Sequence, residues 1–191
     1  LKPEHGPVNH KRIRRLYRVL GLHVRRRLRK RIAMTKRQPM AVPAAPNQHW
    51  SMDFTSDQTA TGRRFRTLNL MDVFTRECLE IEVATSLPGR RVVEVLNRLA
   101  DSRNLPKSIT VDNGPEFISH ALDVWAYDKG VDLNFIRPGK PIENAFIESF
   151  NGHFRDECLN EHWFLDVPHA QKIIADYRHA FNHRRPHSSL N

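Results

Sequence analysis

The order of patterned segments in this chain predicts a mixed α/β fold, a five-stranded sheet flanked by helices and preceded by a basic helical arm. Two observations carry the sheet. Three strand-like stretches follow one another between residues 49 and 84, and the residues beyond 90 then alternate between helical and strand-like patterns. That order builds a mixed sheet with helices packed on it. The arm rests on a third observation, the distribution of charge. The 191 residues carry a net charge of +10, but residues 1–37 hold 14 Lys/Arg and one acid, Glu4, which makes +13. Residues 38–191 hold 17 basic and 20 acidic residues, which makes −3. A basic arm joined to a slightly acidic body points to a polyanionic partner, with nucleic acid first and an acidic membrane surface second.

Composition excludes several classes. With 39% apolar residues the chain can bury a real core, so wholesale disorder and collagen-like structure are ruled out. Cys78 and Cys158 lie far apart without a CxxC, which leaves neither a zinc finger nor a disulfide framework. No apolar run approaches the roughly 18–20 residues of a membrane span, and no apolar signal region follows the basic N-terminus. The expected location is therefore the cytoplasm, with nucleoid association when active. The first residue is Leu rather than Met, so a fragment is expected.

In the arm (1–35), Ile13, Leu16, Tyr17 and Leu20 fall at i, i+3, i+4 and i+7 and make one face of a short helix apolar. Asn9 is its expected N-cap and Gly21 its stop. One four-residue stripe buries too little to hold such a helix alone, so it needs a partner helix or a ligand. Residues 36–48 (KRQPMAVPAAPNQ) hold three prolines without periodicity and read as a semi-extended linker.

The body (49–191) opens with Trp50, Met52 and Phe54 alternating with Ser51, Asp53 and Thr55, a half-buried strand over 49–56. A second strand covers 64–72 with a less regular pattern. Leu79, Ile81 and Val83 alternate with Glu80 and Glu82 in a third over 77–84. Val92, Val93, Leu96 and Leu99 give a helix. Ser108–Asp112 is a fourth strand, stopped by Asn113-Gly114-Pro115. Leu122, Trp125 and Ala126 mark a second body helix, and 132–136 a fifth strand. Pro141 opens a helix to about 159, and Pro168 another that carries Ile173, Ile174, Tyr177 and Phe181.

Three acids stand where a metal site can form. Asp53 is on the first strand, opposite Trp50, Met52 and Phe54. Asp112 ends the fourth strand, and Glu148 lies on the helix after Pro141, with Asn144 a turn before it and Gly152 a turn after. Hard divalent cations take oxygen ligands, and two of them can serve both the attacking and the leaving oxygen of a phosphoryl transfer. Most acids of any domain are nevertheless solvated or cap helices, and Asp57, Asp72, Glu116 and Glu143 are equally available on spacing alone.

Longer motifs single out the first three. Trp50–Thr55 (WSMDFT), Val111–Phe117 (VDNGPEF) and Pro138–Gly152 (PGKPIENAFIESFNG) resemble the catalytic core of retroviral integrases. The likeness is strongest to bacterial insertion-sequence transposases of the IS-three family. Residues 113–147 reproduce the 35-residue gap of the D,D(35)E pattern, and Phe181–Leu190 (FNHRRPHSSL) resembles that family's C-terminal signature. The resemblance implies an RNase H-like core that cleaves DNA at element ends and joins it to target DNA, using Mg²⁺ or Mn²⁺. It assigns two ions to Asp53, Asp112 and Glu148. It further implies double-stranded DNA as partner and a homo-multimer assembled on it. Residues 8–24 resemble the end of the helix-turn-helix segment that precedes this core in the family; its first helices are not in this sequence. An inactive DNA-binding remnant and an RNase H-fold nuclease without joining activity are the alternatives.

Lys140, Asn144, Asn151 and Arg155 flank Glu148 and are candidates for DNA contact, since such a site must neutralise phosphates. The same role is expected of Arg25, Arg26, Arg27, Arg29, Lys30 and Arg31 in the arm. Glu143 is better placed to cap its helix than to hold metal. The histidines His5, His10, His183 and His187 have no cysteines nearby, and Pro186 interrupts the i, i+4 spacing of the last pair, so structural zinc is not expected. Trp125 and Trp163 are expected to be packing residues. If the arm meets 6–10 phosphates, DNA affinity should fall roughly 10³–10⁵-fold between 50 and 200 mM salt. Deleting residues 1–37 should flatten that dependence; an unchanged slope on the shortened chain would reject the arm's role.

Overall fold

The computed structural model describes residues 9–20, 43–137 and 144–184. Lys140, Glu143, the Arg25–Arg31 run, the expected stop at Gly21, the expected helix start at Pro141, His5 and His187 lie outside them. The chain falls into two compact units, Leu1–Pro39 and Met40–Asn191.

In the first unit, α1 runs His10–Val19, and the Asn9 side chain accepts the Lys11 N–H at 2.9 Å. This is the N-cap bond that relieves one orphan donor of the first turn. Ile13, Leu16, Tyr17 and Leu20 all remain exposed.

In the second unit the chain forms β1 (His49–Gln58), β2 (Arg64–Asp72), β3 (Cys78–Ala84), α2 (Gly89–Ser102), β4 (Ser108–Val111), α3 (His120–Lys129), β5 (Asp132–Phe135), α4 (Ala145–Phe154), a π-helical turn (Arg155–Leu159) and α5 (Val167–Arg184). The five strands make one sheet in the order β3-β2-β1-β4-β5. β1 pairs antiparallel with β2 and parallel with β4, so the sheet is mixed and β1 is its centre. β2 reads irregularly in sequence because it too is interior and covered on both faces; all but its first and third residues are buried.

Two cores flank the sheet. Trp50, Met52, Leu68 and Leu70 point to one face, where α2 and α3 cover them with Val92, Leu96, Leu99, Leu122 and Trp125. Phe65, Met71, Ile81 and Val83 point to the other, under Ile147, Phe150 and Phe154 of α4 and Ala170, Ile174 and Phe181 of α5. Leu79 joins the first core although Ile81 and Val83 serve the second, because the β2–β3 register shifts between Leu70 and Met71. Such a bulge re-aims one side chain without ending the strand.

Three sequence expectations need correction here. β4 stops at Val111, which leaves Asp112 just past the strand rather than at its last position. The helix that carries Glu148 does reach Leu159, but its last five residues are π-helical. Trp163 is not a packing residue: it is 81% exposed, and its neighbour Phe164 takes the buried place. Phe164 meets Phe65 edge-on at 5.3 Å, and its carbonyl accepts the Ala60 N–H at 2.7 Å. Trp125 is buried as expected and donates its indole N–H to Asn97 Oδ1 at 2.8 Å.

Phe150 is the hub of the second core, with Phe181 edge-on at 4.9 Å and Phe154 at 6.0 Å. Phe150→Ala should cost about 3–5 kcal/mol in urea unfolding. A loss below about 1 kcal/mol would mean that α4 is not held by this contact.

Candidate active site

Asp53 lies in the middle of β1, on the α4 face of the sheet, directly across from Asn69 of β2. That face is unusually polar for a sheet interior. Ser51, Thr55, Thr67 and Asn69 are all buried there. Thr55 Oγ1 and Thr67 Oγ1 share a hydrogen bond of 2.6 Å, and Asn69 Nδ2 donates to Thr55 Oγ1 at 2.8 Å. A second donation from Asn69 Nδ2 reaches Asn151 Oδ1 of α4 at 2.7 Å. Asn151 Nδ2 in turn donates to Asp53 Oδ2 at 2.8 Å. The other carboxylate oxygen, Oδ1, accepts the Phe54 N–H at 2.8 Å.

Asp112 arrives from the parallel neighbour. Ser51 pairs with Thr110, and continuing that register by two places sets Asp112 beside Asp53. Its carboxylate does not extend the strand but turns back, Oδ1 accepting the Gly114 N–H at 2.8 Å. A Cβ at position 114 would meet Asp112 Oδ1 at 2.9 Å and Glu116 Oε2 at 3.3 Å, so a side chain there would push the Asp112 carboxylate from this position. The loop that follows is pinned at three points. Phe117 is buried and stacks on Phe54 at 4.8 Å, Glu116 pairs with Arg66, and Asn113 Nδ2 donates to the Ile136 carbonyl at 2.8 Å. Arg66 itself lies 4.4 Å from the centre of the Phe54 ring. This packing holds the chain close on either side of Asp112.

Glu148 stands in the first turn of α4, exposed, where a negative charge suits the helix N-terminus. Burial pushes the Asp53 carboxyl up from its ordinary 3.8 to about 6; the Phe54 N–H opposes the shift, and the charges of Asp112 and Glu148 add to it. Among the described residues, no cationic side chain is one of the groups that act on it. Three acids from β1, the end of β4 and α4 therefore feel one another. Among the described residues, however, no three His, Cys, Asp or Glu side chains are drawn into a closed metal-ligand cluster. The donor set still suits a hard cation: carboxylate oxygens, three of them already oriented by N–H donors.

The other acids of the sequence have different work. Asp72 is buried and ties the β2–β3 turn, accepting the N–H groups of Asn47 at 2.6 Å and Phe74 at 2.7 Å. Glu116 is taken by Arg66, and Asp57 accepts the Gln58 N–H at 2.7 Å. Two residues expected to touch DNA sit elsewhere. Asn144 is buried at the N-terminus of α4, its Nδ2 3.5 Å from the Met52 carbonyl. Both polar atoms of Asn151 are engaged inside the protein, one of them on Asp53. The packing of α4 against the sheet accounts for both, since it turns this side of the helix inward. Arg155 alone of the described candidates is exposed. Asn69 is the residue that sequence reasoning passed over. Its signal is faint: a polar residue between Leu68 and Leu70, sharing strand parity with Thr67.

Comparison with known proteins agrees with this architecture. Two family models described as integrase core domain match residues 43–141 and 129–191. A 31.7 kDa protein of insertion element IS407 from Burkholderia multivorans is 52% identical over 183 residues, covering 96% of this chain and 66% of its own length. A 39.2 kDa protein of insertion element IS476 from Xanthomonas euvesicatoria is 46% identical over 189 residues, with coverage of 99% and 55%. The chain thus spans between about half and two thirds of these relatives. Among solved structures, the HTLV-2 integrase catalytic core domain in complex with magnesium, in its trimeric form, superposes with a TM-score of 0.62 at 17% identity, covering 76% of this chain and 93% of that one.

A carboxyl whose folded value lies above its ordinary one takes up a proton on folding. Stability of the metal-free chain should therefore rise as pH falls from about 6 toward 3.8 and be lowest above that window. Asp53→Asn removes the charge, so in EDTA at pH 7.5 it should melt several degrees higher than the parent, by up to about 3 kcal/mol. The gain should vanish near pH 4. A lower melting temperature at pH 7.5 would contradict the burial of an unpaired charge.

The fold, the matched family models and the insertion-element relatives together show that this chain belongs to the integrase core domain family, with an RNase H-like sheet at its centre.

Proposed function

We propose that this chain is the catalytic core of a DNA transposase that cleaves element ends and joins them to target DNA, with Asp53, Asp112 and Glu148 as the ligands of Mg²⁺ or Mn²⁺. One observation supports it above the others: the three carboxylates come from separate elements, and Asp53 is held half-buried without a counter-charge among the described residues. A protein gains nothing in stability from that arrangement unless a cation completes it. The magnesium bound to the HTLV-2 core supports the choice of ion. When bound, the ions supply charge neutralisation at the scissile phosphate and activation of the attacking hydroxyl.

The chain's own residues then have definite tasks. Asn151 and the Phe54 N–H fix the two oxygens of Asp53, and the Gly114 N–H fixes one oxygen of Asp112. Glu148 stays exposed at the helix end, where it can turn toward the ion. Arg155, two turns further along, is positioned for the phosphate backbone. The attacking hydroxyl belongs to water in cleavage and to a DNA 3′ end in joining. No Ser or Tyr of the protein becomes bonded to DNA. In this reading residues 1–35 are a basic arm, 36–48 a linker and 49–191 the core. Arg25–Arg31 and Lys140 add phosphate contacts, and copies of the chain assemble on paired DNA ends.

Labelled element-end oligonucleotides incubated with Mn²⁺ test the proposal. Cleaved and joined products are expected from the parent chain, and Asp112→Asn should lower both by at least about 10³-fold, the scale of losing a group that acts only in the transition state. Hydrolysis without joined products favours a nuclease. Cleavage that survives Asp112→Asn would overturn the assignment.

A further inference from the structure

Asn69 is fully buried in the centre of the sheet, 16 positions from Asp53 in sequence and directly across from it in register. Its hydrogen bonds have a direction that can be reasoned outward from Asp53. A carboxylate only accepts, so Asn151 must present its NH₂ to Asp53 Oδ2, and its carbonyl then faces Asn69. Asn69 must therefore present its own NH₂ to Asn151, and the same nitrogen also donates to Thr55 Oγ1. The consequence is a cost. Among the described residues, Asn69 Oδ1 has no hydrogen-bond partner and is left buried. An orphan of this kind carries its desolvation cost uncompensated, and an apolar residue of similar size between Leu68 and Leu70 would avoid it. Stability does not explain an asparagine here; the orientation of Asn151 does.

We propose that Asn69 is a positioning residue, which acts through Asn151 to hold the Asp53 carboxylate in the orientation that receives the divalent ion. This rests on the metal-binding assignment of Asp53 made above. Asn69 touches neither ion nor DNA; it fixes which way the Asn151 amide points. Replacing it by Leu frees that amide to turn. Replacing it by Asp does more, because an acceptor beneath Asn151 draws the NH₂ away from Asp53 and turns the carbonyl toward it. Both changes leave Asp53, Asp112 and Glu148 in place.

The test is Mn²⁺ binding to the full chain, followed by electron paramagnetic resonance of the free ion and independent of any DNA reaction. Asn69→Leu should weaken binding about 10–100-fold, the range seen when an outer partner of a metal ligand is lost. Asn69→Asp should weaken it further. In Asn151→Ala the relay is already cut, so adding Asn69→Leu should change affinity less than threefold. Equal affinity of a folded Asn69→Leu chain, or losses that multiply in the double variant, would overturn the proposal while leaving the metal site standing. A parent chain that binds no Mn²⁺ would instead reject the metal assignment, and the role of Asn69 with it. If the substituted chains do not fold, ¹⁵N NMR of the unaltered chain decides. Mg²⁺ titration should then shift the side-chain amide resonances of both Asn151 and Asn69, and an Asn69 signal that stays fixed refutes the relay.

Discussion

The packing of α4 across the polar face of the sheet is the contact on which the rest of the site depends. Ile147, Phe150 and Phe154 seal the helix to Phe65, Met71 and Ile81, and that seal sets where Asn151 and Glu148 stand. Without it, Asp53 would face water from an ordinary strand and would lack both its oriented partner and its raised proton affinity. With it, a carboxylate is confined among neutral donors and two other acids. Apolar burial of the order of 25 cal/mol per Å² on the helix's inner side can offset the cost of keeping that charge on the same face.

The strand order explains why these particular acids meet. β1 is central, and β4 runs parallel beside it, so the end of β4 delivers Asp112 to the level of Asp53. A parallel neighbour requires a long crossover, which here is α2, and that helix covers the opposite face with a wholly apolar core. Both faces of the sheet are thus packed, but only the α4 face also carries the polar cluster around Asp53. Gly114 and Phe117 hold the turn after Asp112 from the two sides, one by having no side chain and the other by filling the space against Phe54.

Much of this was legible in the sequence. The alternation of Trp50, Met52 and Phe54 against Ser51, Asp53 and Thr55 placed Asp53 on its own face, and the five strands along the chain followed from periodicity and breakers, while their order in the sheet did not. The long motifs singled out Asp53, Asp112 and Glu148 when spacing alone left Asp57, Asp72, Glu116 and Glu143 open; the structure then gave Asp72 and Glu116 structural partners. What failed was anything decided by contacts between distant segments. Asn151 looked like a DNA contact because helical spacing gives a face but not what the face meets. Asn69 was invisible because one polar residue in an apolar strand has no meaning until its neighbours across the sheet are known. Trp163 was misplaced since a large aromatic residue signals burial on average, while the local loop gave that place to Phe164.

The charge asymmetry of the chain takes a physical sense from this arrangement. The body carries a slight excess of acid, part of which is gathered where a cation would neutralise it, and the arm carries positive charge of the kind a polyanion would meet under the proposed function. Crystals of the chain soaked in Mn²⁺ and measured at the manganese absorption edge test this most directly. An anomalous peak is expected in contact with carboxylate oxygens of Asp53 and Asp112, with Glu148 turned toward it. A peak at Asp72 or Glu116 instead, or none near Asp53 at saturating Mn²⁺, would contradict it.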